Sequence, residues 1–136
     1  MKPNKTLFRK CLGGSFNRDY IEFLGPYHKL QNKTRDVAAR ILSQYFRLKE
    51  SLKDQKDDEV LYEVLWSRTS RKDMCDSLGM TQNSFQMALA KLKRGRFLLE
   101  DNRINPVFIP PLQPDQKRFM LCIVFDMTEP SSPANE

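Results

Sequence analysis

The stretch Arg71-Lys-Asp-Met-Cys-Asp-Ser-Leu-Gly-Met-Thr-Gln-Asn-Ser-Phe-Gln-Met-Ala-Leu-Ala-Lys-Leu92 decides the fold class. Ser70 and Asp73 have the spacing of a capping box, with Asp in place of the commoner Glu or Gln. Met74, Cys75 and Leu78 then form one short apolar face. Gly79 follows as a residue able to take the left-handed conformation that closes a helix. Met80 is the one apolar residue in the turn, suited to plug the gap between two helices. Thr81 caps a second helix, in which Phe85, Ala88, Leu89 and Leu92 fall at i, i+3, i+4 and i+7. Cap, turn residue and apolar spacing agree on a helix-turn-helix.

Working upstream, Val37, Ile41, Tyr45, Leu48 and Leu52 recur at steps of four or three. Ala38, Leu42 and Phe46 widen that stripe, which predicts a long buried helix over 35–53. Thr34 reads as its N-cap, with Asp36 in the first turn. The acidic run from Asp54 to Glu59 breaks it, and Asp57 or Asp58 can cap a helix over 58–66 carrying Val60, Leu61, Val64 and Leu65. Trp66 ends that helix at the core or an interface. The quoted stretch supplies helices over 70–78 and 82–94.

Downstream, Phe97-Leu-Leu and Arg103 to Ile109 flank the polar tip Glu100-Asp-Asn, the pattern of strand, turn and strand over 97–109. Pro106 confines the second strand to an edge or a bulge. Pro110, Pro111 and Pro114 make a stiff connector. Phe119-Met-Leu-Cys-Ile-Val-Phe125 reads as a strand buried on both faces, paired with the N-terminal segment or with another subunit. The expected fold is therefore α+β, a winged helix-turn-helix with a basic N-terminal arm and an extra C-terminal strand. Its expected divisions are an arm over 1–19, the domain with its strand over 20–126, and a disordered tail over 127–136.

The corner Leu78-Gly-Met-Thr81 resembles winged-helix regulators. The order of basic helix end, Gly95, apolar strand, turn and Asn105-Pro106 is similar to the RepL-type replication initiators of plasmids. It also resembles small winged-helix proteins of tailed bacteriophages, some serving replication or regulation and some virion assembly. The resemblance covers residues 34–110. It implies a winged-helix fold, and it implies either DNA binding in replication or regulation or a structural role in a virion.

Helix geometry selects the side chains that would meet DNA. Opposite the apolar stripe of the 82–94 helix lie Asn83, Gln86, Met87 and Ala90, with Gln82 at its start. Asn and Gln bond bidentately to adenine in the major groove, and Ala and Met touch a thymine methyl. Arg71, Lys72, Lys91, Lys93, Arg94, Arg96 and, on the wing, Arg103 suit phosphates. Residues 67–103 hold eight Lys or Arg against four acids. The competing reading is a solvated polar face on a helix used to dock protein.

Charge and composition agree with an anionic partner. The 136 residues carry 23 Lys or Arg against 17 Asp or Glu, a formal net charge of +6. Residues 1–18 contain Lys2, Lys5, Arg9, Lys10 and Arg18 and no acid, the composition of an arm that orders on a partner. No apolar run is long enough for a membrane span, and no signal-peptide pattern opens the chain. These features lead us to expect a cytoplasmic protein, or a virion component under the assembly reading. Cys11, Cys75 and Cys122 have neither disulfide-framework nor zinc spacing, and Cys75 and Cys122 read as small core residues. His28 is the only histidine, without a metal-binding or catalytic partner, and reads as a surface residue. Asp57-Asp-Glu59 suits a helix start rather than metal chemistry. Gly13-Gly14 lacks a phosphate-loop context. No enzymatic activity, cofactor, metal or small-molecule substrate is expected.

Overall fold

The computed structural model describes residues 7–11, 15–55, 57–113 and 115–129. Six α-helices follow one another among the described residues: α1 Phe16–Phe23, α2 Gly25–His28, α3 Asn32–Ser51, α4 Glu59–Leu65, α5 Arg68–Leu78 and α6 Gln82–Arg94. A 3-10 turn over Pro106–Phe108 closes the domain. The α3 helix is the central element and packs against α1, α4, α5 and α6. Its apolar stripe explains that position, because Val37, Ala38, Ile41, Leu42 and Tyr45 are all buried. Ile21, Leu65, Met74, Phe85, Leu92, Phe97, Leu98 and Ile104 complete the same core.

The corner between α5 and α6 forms as the sequence indicates. Gly79 has φ +66°, Met80 N–H donates to the Cys75 carbonyl, and Met80 packs against the core. Thr81 caps α6 by accepting from the Ser84 N–H at 3.1 Å. The caps of α5 and α3 shift by a few residues, while that of α4 falls at the expected acids. Ser67, not Ser70, caps α5; Ser70 is buried and accepts a hydrogen bond from Gln44 Nε2. Asp57 accepts from the Glu59 N–H at the start of α4. The α3 helix begins at Asn32, so Thr34 is buried inside its first turn rather than capping it. Asp36 lies beyond that turn and pairs with Arg18.

The expected α+β winged helix is overturned. The described residues are helical, with no strand and a single isolated antiparallel bridge, Leu98↔Ile104. The physical reason lies at both ends of the expected hairpin. Arg96 is left-handed at φ +65°, and the Phe97 and Leu98 N–H groups both donate to the Leu92 carbonyl. The chain thus folds back on α6 instead of running out as a strand. At the other end the Asn105 side chain accepts from the Val107 N–H and starts the 3-10 turn at Pro106. Between these stops the backbone bonds are Leu99 N–H to Arg103 O and Asn105 N–H to Phe97 O across the loop, with Asn102 N–H to Leu99 O closing its tip. Two aromatic residues of the α4 region pin the resulting loop: Trp66 Nε1 donates to the Asn102 carbonyl, and Tyr62 Oη accepts from the Ile104 N–H.

The extra C-terminal strand is corrected too. Residues 116–129 have no regular secondary structure and pair with no strand among the described residues, and Met120, Val124 and Phe125 are largely exposed. Only Phe119 packs closely, in edge contacts with Phe16 and Tyr20 of α1. Cys122, expected in the core, is exposed, whereas Cys75 is buried. The α1 helix begins within the segment expected as a basic arm, and Arg9 pairs with Asp19 and Glu22. Residues 20–27 run through the end of α1 into α2. The expectations for Lys2, Lys5, Gly13, Gly14 and residues 130–136 fall outside the described residues.

Candidate nucleic-acid interface

The outward side of α6 is built by the same periodicity that buries its other side. Phe85, Ala88, Leu89 and Leu92 point into the core, so Gln82, Asn83, Gln86, Met87, Ala90, Lys91 and Arg94 are exposed. Met87 is 62% exposed, a large apolar side chain in the middle of a polar row. Lys91, Lys93 and Arg94 occupy the last turn, where cations complement the helix dipole. None of these three, nor Arg96, makes an ion pair among the described residues.

The remaining expected phosphate contacts are already engaged. Arg71 lies over the Trp66 ring at 5.7 Å and donates from Nη1 to Gln86 Oε1 at 3.2 Å. Its Nε is buried without a partner among the described residues. Arg71 is thereby fixed as a side chain that orients Gln86. Lys72 bonds Asp76 at 3.0 Å, which raises its pKa and offsets its charge. Arg103 sits over the Tyr62 ring at 5.0 Å and faces Asp101 at 3.7 Å. Burial is the main cause that pushes the Tyr62 hydroxyl up to about 12, so beneath Arg103 it stays a neutral hydrogen-bonding group.

A second cationic group was not singled out from sequence. An open cleft of about 620 Å³ at the start of α3 is lined by Lys29, Gln31, Lys33, Thr34, Arg35 and Lys91. Lys91 thus belongs both to the margin of α6 and to this cleft. Arg35 is held in place by its Nε–H bond to the Leu30 carbonyl at 2.7 Å. No acid occupies the first turn of α3, and Gln31 provides no side-chain cap. The helix dipole disfavours cations there unless an anion is near, which is the one signal that the sequence offered. What brings Lys91 beside Lys29 is tertiary packing: a Cβ at Gly95 would stand 2.7 Å from Leu30 Cδ2 and 3.0 Å from the His28 carbonyl oxygen.

His28 anchors that loop from below. It is 2% exposed, not a surface residue. Its Nδ1 accepts from the Leu30 N–H at 2.9 Å, and its Nε2 lies 2.6 Å from the Ile21 carbonyl. Both contacts are satisfied by the neutral ring with the proton on Nε2. Burial holds its pKa below the ordinary value, and Arg35 acts in the same direction.

These features define a helical domain in which α5 and α6 meet at a tight turn, with α6 exposed and a basic flank beside it. No family model, curated protein or solved structure matches the chain. No helix among the described residues is long and apolar enough to cross a membrane.

Proposed function

We propose that the chain binds duplex DNA without doing chemistry on it, in a replication or regulatory role. The α6 helix lies in the major groove, with Gln82, Asn83, Gln86, Met87 and Ala90 toward base edges. Lys91, Lys93, Arg94 and Arg96 meet phosphates, and the cleft of Lys29, Lys33 and Arg35 extends that contact. One observation carries the reading: an exposed amide-rich helix face is bordered by Lys91, Lys93, Arg94 and Arg96, which pair with no carboxylate among the described residues. Such a face offers hydrogen-bond readout beside charge for the backbone. A 13-residue helix is about 20 Å long, enough to span a half-site. An electrophoretic shift with mixed-sequence duplex at low salt tests it, and retardation by micromolar protein is the expected result. No retardation of duplex DNA would support the second reading.

That second reading is an assembly protein, for example a virion component, that docks protein rather than DNA. The specific observation in its favour is the exposed apolar run from Met120 to Phe125.

A further inference from the structure

The segment that follows residues 110–113 carries the apolar run Phe119–Phe125, which forms no strand ladder among the described residues. Exposure alternates over residues 119–124: Phe119 packs on α1 and Leu121 and Ile123 are 43% and 42% exposed, while Met120 and Val124 are 86% and 77% exposed; Phe125, at 84%, has left the body. A period of two is the signature of a strand, with one face turned toward the body and one away. The backbone N–H groups of residues 119–125 make no hydrogen bond to any described backbone group. A free apolar edge of this kind is a template for pairing with another chain.

The charges at its ends select the partner. Arg118 precedes the apolar run and Asp126 follows it. Two copies laid antiparallel with Cys122 opposite Cys122 set Arg118 of each against Asp126 of the other. Phe119 then faces Phe125, Met120 faces Val124, and Leu121 faces Ile123. Shifting the register by two residues puts Asp126 against Met120. A parallel in-register pair sets like charges against each other at both ends, which is unfavourable.

We propose that the segment 118–126 pairs with the same segment of a second copy as an antiparallel two-fold ribbon centred on Cys122. The interface is isologous, so it closes as a dimer instead of propagating. The two Phe119 anchors stand about 20 Å apart along the ribbon and place the helical bodies at its opposite ends. The proposal is independent of DNA binding.

Analytical ultracentrifugation of the full chain over a concentration series is the test, combined with charge exchange. The intact chain is expected to sediment as a dimer. Arg118→Asp and Asp126→Arg each place like charges opposite one another twice per dimer, and each is expected to weaken dimerisation about tenfold. The double variant carrying both changes restores opposite charges and is expected to recover the dimer. Oxidation of the intact chain with diamide, which takes up the two electrons and two protons of the thiols, is expected to join the copies through Cys122. Cys11→Ser leaves that cross-link in place and Cys122→Ser removes it. A monomer throughout the series overturns the proposal, and so does a double variant that stays as weak as the single ones.

Discussion

Arg71 on α5 and Gln86 on α6 are joined by a 3.2 Å hydrogen bond from Nη1 to Oε1, while the guanidinium is stacked on Trp66. The bond uses the amide oxygen of Gln86 and leaves its NH₂ group as the donor facing outward. Arg71 therefore sets what Gln86 can read. If α6 contacts bases, Arg71→Met frees the amide to turn over. The expected outcome is a changed sequence preference in a binding-site selection, with a change of about 1–3 kcal/mol at the adjoining base pair. Gln86→Ala should relax preference at that same position. Loss of affinity that is uniform across sequences would show Arg71 acting on phosphate instead.

The corner of the helix-turn-helix gives a stability prediction. Gly79 sits at φ +66° with open space around the position of a Cβ, so only backbone conformation opposes a side chain there. Gly79→Ala should cost about 1–2 kcal/mol, read as a lowered urea midpoint with an unchanged m-value. Gly95→Ala acts by contact instead, since its Cβ meets Leu30 and the His28 backbone oxygen. It should destabilise as well, and it should also pull Lys91 away from Lys29 and Lys33.

Much of this geometry was legible in the sequence, and the reason is physical. Helices are local objects, so Phe85, Ala88, Leu89 and Leu92 disclosed α6, and Gly79 and Thr81 disclosed its corner. Strand pairing is not local. The run Phe97-Leu98-Leu99 has strand composition, yet the left-handed Arg96 and the two bonds to the Leu92 carbonyl decide its path. Neither feature has a sequence signature, nor has the hold of Trp66 on the Asn102 carbonyl. The capping serine was misplaced because Ser67 and Ser70 both offer a hydroxyl at a helix start, and only burial against Gln44 separates them. The outward face of α6 was readable as a set, but the engagement of Arg71, Lys72 and Arg103 by neighbours was not. The cleft at α3 stayed hidden because Lys91 and Lys33 lie far apart in the chain.

Stability should depend on pH through His28. Its folded pKa lies below the ordinary value of 6.5, so the unfolded chain binds more protons over this range. The contribution is present in full above 6.5 and is lost as pH falls through the depressed folded value. The melting temperature is expected to drop as pH falls below 6.5 toward the range in which carboxylates titrate. His28→Gln should flatten the profile over that window. An unchanged slope in the variant would assign the effect to other groups.

The cleft at the start of α3 should contribute charge without sequence preference. Lys29→Gln with Lys33→Gln is expected to weaken binding to all duplexes alike. The salt slope should become shallower by about 0.9 for each phosphate that is no longer neutralised, and so by about 2 if each lysine meets one. Arg35 is held by Leu30 and supports the loop, so it is left unchanged in this test. A slope equal to that of the intact chain would place the cleft outside the DNA-binding surface.

The most direct test of the central claim is the affinity for a fluorescent duplex, measured by anisotropy as a function of salt, for the intact chain and for Arg94→Ala with Arg96→Ala. Both residues are exposed and free of ion pairs among the described residues, so the double variant should keep its fold. The predicted result is linear loss of log affinity with log salt for the intact chain, and a weaker, flatter line for the double variant on every sequence tested. An intact chain that fails to bind duplex at low salt, or a double variant whose line superposes on that of the intact chain, would contradict DNA binding through α6.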